Sequence, residues 1–214
     1  SDYREDGYHP DAIVNYLSLL SWSSASGEEV LSRERLIEEV SLERMGASDV
    51  VFDPDKLRWL SARHIERMPL TAVVAAVRTF LTGPSSTLRD DVLAEAVEAV
   101  RSRLSAFSEI RDAMGEFYPP AESVDPDASA MPVLEAAIEV FASLADWDRS
   151  SIVAALKQVS KRAGRRGAGL YVPLRRALTG RDHGPALPAV LRVQGKQAVL
   201  QRLADAAAAA RTTG

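Results

Sequence analysis

The densest chemistry in this sequence is cationic. Between Ser151 and Leu203 stand eleven Lys or Arg residues against one acid, Asp182, a local charge of +10 in a chain whose total is −4, so the remainder carries −14. Lys157, Lys161, Arg162, Arg165 and Arg166 crowd together there, with Gly164, Gly167 and Gly169 among them. Such a cluster can neutralise phosphates and release their counterions, which is the sequence-independent part of nucleic-acid binding. The same charges also suit a solvated basic face that balances an acidic one within the fold. The glycines fit either a close approach to another backbone or a plain turn.

Other reactive groupings are missing. His9, His64 and His183 form no H-E-x-x-H or H-x-x-x-H pair that would set two ligands on one helix face, so each reads as structural or surface. The stretch KRAGRRGAG lacks the G-K-[ST] ending of a phosphate cradle, and no strand precedes it. Asp53 and Asp55 read as helix-capping residues rather than metal ligands. Cysteine is absent, which excludes disulfides, thiolate zinc sites and Cys nucleophiles and fits a cytoplasmic protein. Nothing assembles nucleophile, base and oxyanion donors. The expectation is therefore no catalytic residue, no metal and no cofactor in this chain.

The elements that must position the cations are helical. In 214 residues, 46% hydrophobic and 26% charged, the apolar positions repeat at three and four residues, as in Ile13, Val14, Leu17 and Leu20, and no alternating run supports a sheet. The chain reads as all-α, soluble and free of membrane spans. Pro10 opens a first helix, Ser32 caps a second, and Asp53 then Pro54 start a third. Further helices are expected from Leu88 to about Val100, from about Ser105, from Val133 to Leu144 and from Arg149 to Ala163. Short ones follow near Pro173 and Pro185, and a last begins at Lys196. The alanines 206–210 have little to pack and are expected to fray. Trp22 and Trp59 read as core residues. The proline-rich stretch from Pro119 to Pro132 is the expected linker.

Three stretches carry a family resemblance. YREDGYHPDAIVNYLSLLSW, from Tyr3 to Trp22, resembles the segment after the lysine-containing signature loop of glutamyl-tRNA synthetases. VFDPDKLRWLSARHI, from Val51 to Ile65, is similar to that family's F-D-x-x-K-L-x-W block. LYVPLRRALTGRDHGPALPAVLRVQGKQAVLQRL, from Leu170 to Leu203, resembles its P-L-R-x-A-L-T-G block, the G-P-x-L turn and the G-K-x-x-x-L-x-R-L helix. The sequence departs from the pattern at Ser21, usually Gly, at Ser61, usually Asn, and at His64, usually Tyr.

The resemblance implies a helical stem-contact module (1–68), followed by two helical anticodon-binding subdomains (69–131 and 132–214, the second basic). It implies the bacterial-type synthetase, since the glutaminyl and eukaryotic relatives build this region from β-barrels. The chain would be a monomer whose partners are tRNA-Glu and a catalytic domain in cis. That domain would use ATP and Mg and would lie N-terminal to Ser1, so the chain is expected to be a cut or proteolytic piece; the alternative is a natural truncated paralogue serving as a protein scaffold. Arg175 matches a family arginine that contacts the anticodon, and Leu187 an apolar contact in the same loop. Gly184 falls where some members carry a Thr, so a side-chain hydrogen bond there is lost or replaced by main chain. Arg103 matches the arginine that reads the last anticodon base; Arg101 lies two positions away. The basic cluster Lys157, Lys161, Arg162, Arg165 and Arg166 would supply the phosphate contacts.

Overall fold

Helices begin where the sequence supplies a cap. In the computed structural model, which describes residues 2–46, 51–118 and 128–212, α1 (Pro10–Ser21) starts behind His9, whose Nδ1 accepts from Asp11 N. The Ser32 hydroxyl accepts from Arg35 N at the head of α2 (Arg33–Glu39). Asp53 accepts from Asp55 N and Lys56 N at the head of α3 (Pro54–Arg67), and Pro54 occupies the first position, where no N–H is needed. There follow α4 (Leu70–Arg78), α5 (Asp90–Val100), α6 (Ile110–Gly115), α7 (Met131–Ala142), α8 (Arg149–Ala163), α9 (Ala168–Thr179), α10 (Leu187–Gln194) and α11 (Lys196–Thr212). No strand occurs among the described residues, so the all-α expectation holds. No helix of the described residues is long and apolar enough to cross a membrane.

The chain gathers into two units, one made of Ser1–Ser86 with Val100–Arg111, the other of Thr87–Ala99 with Asp112–Gly214. This partition differs from a division after residues 68 and 131. The expected linker falls largely on residues 119–127, which lie outside the described ones; a turn at Ala128–Ala130 then leads into α7.

In the first unit α1 packs on α3 and α2 around Ala12, Tyr16, Val30, Leu57 and Leu60. Polar ties fix the register. The Tyr16 hydroxyl accepts from Asp53 N at 2.6 Å. The buried Asn15 side-chain oxygen accepts from Leu31 N at 3.0 Å and faces His64 Nε2 at 3.1 Å. An amide oxygen only accepts, so the proton of neutral His64 sits on Nε2. Ser61 Oγ accepts from His9 N at 3.2 Å. The departures at Ser61 and His64 thus fasten α3 to α1 and to the segment before it. Gly7 shows how close that segment runs to the turn at Phe107–Glu109. Its φ is +80°, its carbonyl accepts from Phe107 N at 2.7 Å, and a Cβ would sit 2.5 Å from Ser108 N. No other residue fits there without backbone movement. Trp22 is buried as expected, at 4% exposure, but Trp59 is 43% exposed, because the buried face of α3 is taken by Leu57, Leu60, Ser61, His64 and Ile65.

In the second unit α7 packs on α8 and α11, and α9 on α7 and α11. Two expectations fail here. α9 is one continuous helix from Ala168, with Gly169 and Pro173 inside it, because Leu170, Leu174 and Leu178 bury one seam through the proline. The alanine-rich end is helical and packed: Ala206, Ala207 and Ala210 are buried. Small side chains let α11 lie close to its neighbours. Lys196 Nζ donates to the carbonyls of Ala142 and Leu144, tying the start of α11 to the end of α7. Arg192 of α10 reaches α5 through Glu95 at 3.0 Å and Asp91 at 2.8 Å, and it donates to Trp147 O.

His9 and His64 stack with ring centroids 5.4 Å apart. Burial, then the neighbouring His9, push the His64 pKa from 6.5 down to about 4. Between those values the unfolded chain binds a proton that the folded chain refuses, so His64 contributes stability above about pH 6.5 that is lost as pH falls toward 4. The urea midpoint should drop more between pH 7 and pH 5 in the wild type than in His64→Gln, which keeps a donor for Asn15 without the titration. Equal drops in both proteins would assign the acid sensitivity to other groups.

Candidate nucleic-acid interface

α8 separates the cations from the core. Its N-cap Asp148 accepts from Ser151 N at 2.8 Å, and the helix ends at Gly164 in the left-handed conformation. Ile152, Ala155, Leu156 and Val159 are buried, whereas Lys157, Ser160, Lys161 and Gly164 recur at three and four residues on another face. The last-turn cations Lys161 and Arg162 also meet the negative end of the helix dipole. Arg166 comes round from the following turn, so that Lys157, Ser160, Lys161, Gly164 and Arg166 line one cavity of about 660 Å³.

The five expected phosphate binders are all exposed but not equivalent. Among the described residues Lys157, Lys161, Arg165 and Arg166 pair with no carboxylate, while Arg162 pairs with Glu139 at 2.5 Å. Lys157, Lys161 and Arg166 converge. Arg165 lies with its Cδ about 4.0 Å from the position of a Cβ on Gly169. An adjoining cavity of about 280 Å³ shares Lys157, Ser160 and Arg166 and adds Val153, Tyr171 and Pro188. None of the last three was singled out in the sequence; the one signal available was Tyr171, an aromatic in the first turn after a basic, glycine-rich stretch.

The α9–α10 loop forms a second grouping. Arg176 pairs with Asp182 at 2.5 Å and closes the turn. Arg175, half-buried between the seam positions Leu174 and Leu178, donates from Nη1 to Pro185 O at 2.7 Å. Burial lowers its pKa below the ordinary arginine value, and it stays charged at neutral pH. Gly184 has φ +145°, and a Cβ there would meet Arg175 Nη1 at 3.5 Å. Arg175, Gly184 and the Pro185 carbonyl therefore converge. Leu187 does not join them as an open apolar surface. At 2% exposure it opens α10 from within the core, and a contact between its side chain and a base would require it to leave that core.

Arg103 belongs to the other unit, in the turn Arg101–Arg103 that follows α5, and is exposed. Arg101 is half-buried and directs its guanidinium to Met68 O and Glu66 O, each at 3.5 Å. Of the two, Arg103 is the one turned to solvent. Among the described residues no group of three or more His, Asp or Glu is placed to hold a metal ion.

A concentrated cationic face and a convergent arginine loop on an all-helical scaffold define a polyanion-binding module. Residues 68–207 match the family model described as the anticodon binding domain, and the chain belongs to that family. It is 32% identical to glutamate–tRNA ligase 1 from Fervidobacterium nodosum over 94% of this chain and 43% of the relative. It is 35% identical to glutamate–tRNA ligase 1 from Rubrobacter xylanophilus over 94% of this chain and 48% of that one. The chain thus spans less than half the length of these relatives. The crystal structure of glutamate–tRNA synthetase from Elizabethkingia anophelis superposes with a TM-score of 0.78 at 25% identity, over 96% of this chain and 42% of the other. A glutamate–tRNA ligase from Elizabethkingia meningosepticum has the same fold, with a TM-score of 0.80 at 24% identity over 96% of this chain and 42% of that one.

Placing a side chain at Gly184 tests the loop. Gly184→Ala should cost about 1–3 kcal/mol in urea unfolding, the usual cost of a strained backbone position, and should weaken the Arg175 to Pro185 contact. An unchanged midpoint would mean that the loop relaxes freely.

Proposed function

We propose that this chain is the tRNA-binding part of a glutamate–tRNA ligase of bacterial type, recognising the stem and anticodon of tRNA-Glu as a monomer in the cytoplasm. Residues 1–68 contact the stem, and residues 69–131 and 132–214 hold the anticodon. The attachment of glutamate, with its ATP and Mg, belongs to a catalytic domain in cis, and the isolated chain attaches none. The observation that carries this reading is the set Lys157, Lys161 and Arg166, without carboxylate partners among the described residues, within a chain of the anticodon-binding family.

The cations position the RNA by neutralising phosphates, with Arg165 and Arg162 at the edge of the patch. Base reading falls to Arg175, with Gly184 supplying main chain in place of a side-chain hydrogen bond and Leu187 anchoring the loop from below. Arg103 reads the last anticodon base. Its guanidinium offers donors only, which suit O2 and N3 of a cytosine and oppose the N1 and N2 donors of a guanine. The greater exposure of Arg103 than of the half-buried Arg101 supports this choice of residue.

Two measurements test the reading. Affinity for tRNA-Glu should fall steeply with salt, and replacing Lys157, Lys161 and Arg166 by Ala should flatten the slope by about one per phosphate contact removed, for cognate and non-cognate tRNA alike. A flat salt response in the wild type would favour a protein scaffold instead. For Arg103→Gln, discrimination between anticodon loops ending in C or G should shrink by about 1–3 kcal/mol, while affinity for the C form changes little. Equal weakening of both RNAs would make Arg103 a phosphate contact, and a shift of the ratio only in Arg101→Gln would move the role to that residue.

A further inference from the structure

The smaller cavity beside the cations has a feature that phosphate binding does not require. Among the described residues of the second unit, the large hydrophobic side chains left exposed are two, Tyr171 at 42% and Val153 at 36%, and both line this cavity. Pro188 of α10 completes its apolar wall, and Lys157 and Arg166 stand at its edge, shared with the larger basic cavity. Apolar surface that is exposed, concave and bordered by charge marks a contact site. An aromatic ring beside two cations matches one class of ligand, an unstacked nucleobase with its phosphates.

Position supports the same occupant. Tyr171 lies one helical turn before Arg175 on α9, so the two side chains share a face of that helix. Pro188 follows directly on the loop that Arg175 and Gly184 organise, at the second position of α10. The cavity therefore lies between the basic face of α8 and the α9–α10 loop, within one unit of the structure. An RNA loop whose backbone crosses Lys157, Lys161 and Arg166 and whose bases approach Arg175 passes over it. The tyrosine hydroxyl makes no hydrogen bond with any described residue, which leaves the ring as its contribution.

We propose that Tyr171 is the stacking platform for one splayed base of the bound tRNA loop, seated against Val153 and Pro188 and held by phosphate contacts from Lys157 and Arg166. This rests on the tRNA-binding reading and adds a positioning residue to it. A π face accepts any base, so Tyr171 fixes the path of the loop past the α9–α10 arginine and contributes affinity without sequence choice.

The experiment uses the full chain with anticodon stem-loop RNAs of tRNA-Glu carrying 2-aminopurine at successive loop positions. One position should lose fluorescence on binding to the wild type and to Tyr171→Phe, and keep it with Tyr171→Leu, which keeps an apolar side chain there without a π face. Tyr171→Leu should bind about 5- to 150-fold more weakly, the range of one base–aromatic stack, with its salt slope unchanged. Lys157→Ala should instead lower the slope. An RNA abasic at the quenched position should weaken wild-type binding by the same factor, a comparison that leaves the protein unaltered. If Tyr171→Leu binds and quenches like the wild type, or if its deficit appears in the salt slope, the stacking role is overturned while tRNA binding stands. If the wild type binds none of these RNAs at low salt, the tRNA-binding reading falls with it.

Discussion

The cationic face depends on one constraint, the opposition of two stripes on α8. Ile152, Ala155, Leu156 and Val159 must be buried, and at 3.6 residues per turn this leaves Lys157, Ser160, Lys161 and Gly164 to share another face. Burying apolar side chains stabilises the helix's rotation, so the cations are oriented by the core and not by their own contacts. Their mutual repulsion is tolerated because they stay in water, and because the last-turn charges meet the negative end of the helix. A rotation of α8 that brought Lys157 inward would strand a charge in the core, a cost far above anything the surface contacts could return.

Around that face, the second unit uses main-chain acceptors to fix its arginines and lysines. Arg175 donates to Pro185 O, Arg192 to Trp147 O, Arg181 to Tyr118 O, and Lys196 to Ala142 O and Leu144 O. These cations hold loops in place, whereas Lys157, Lys161, Arg165 and Arg166 are left without carboxylate partners among the described residues. The +10 segment therefore holds cations tied to main-chain carbonyls, cations paired with carboxylates such as Arg162 and Arg176, and cations without carboxylate partners among the described residues. The net charge of −4 conceals all of these, because it averages them with an acidic remainder.

Much of the fold was legible where cap and periodicity agreed. Asp53 with Pro54, and Ser32, name the starts of α3 and α2 by a local rule, and α8 runs over the expected residues. The misses share a cause, which is that tertiary contacts outrank local preference. Pro173 looks like a helix start, yet the leucine seam of α9 carries the helix through it. Alanines look too small to pack, yet that smallness brings α11 against α7. Trp59 looks like core, yet it lies on the side of α3 opposite Leu57, Leu60 and Ser61. Of the candidate site, the cations stand out in the sequence by charge and spacing, and Arg175 by its family pattern. The burial of Leu187 and the cavity around Tyr171 do not, since Val153, Tyr171 and Pro188 come from three different helices and meet only in the folded chain.

The interleaving of the two units bears on the order in which the chain can fold as it is made. Residues 87–99 belong to the second unit but are synthesised before residues 100–111, which the first unit needs for its own completion. The first unit must therefore wait for a segment that lies beyond an insertion of foreign affiliation, and the acids of α5 emerge well before Arg192, their partner in the finished protein. Neither unit can be released as a single contiguous stretch, and an early-emerging α5 must remain soluble on its own. Its opening residues Asp90 and Asp91, with Glu95 a turn later, are charged before Arg192 is made.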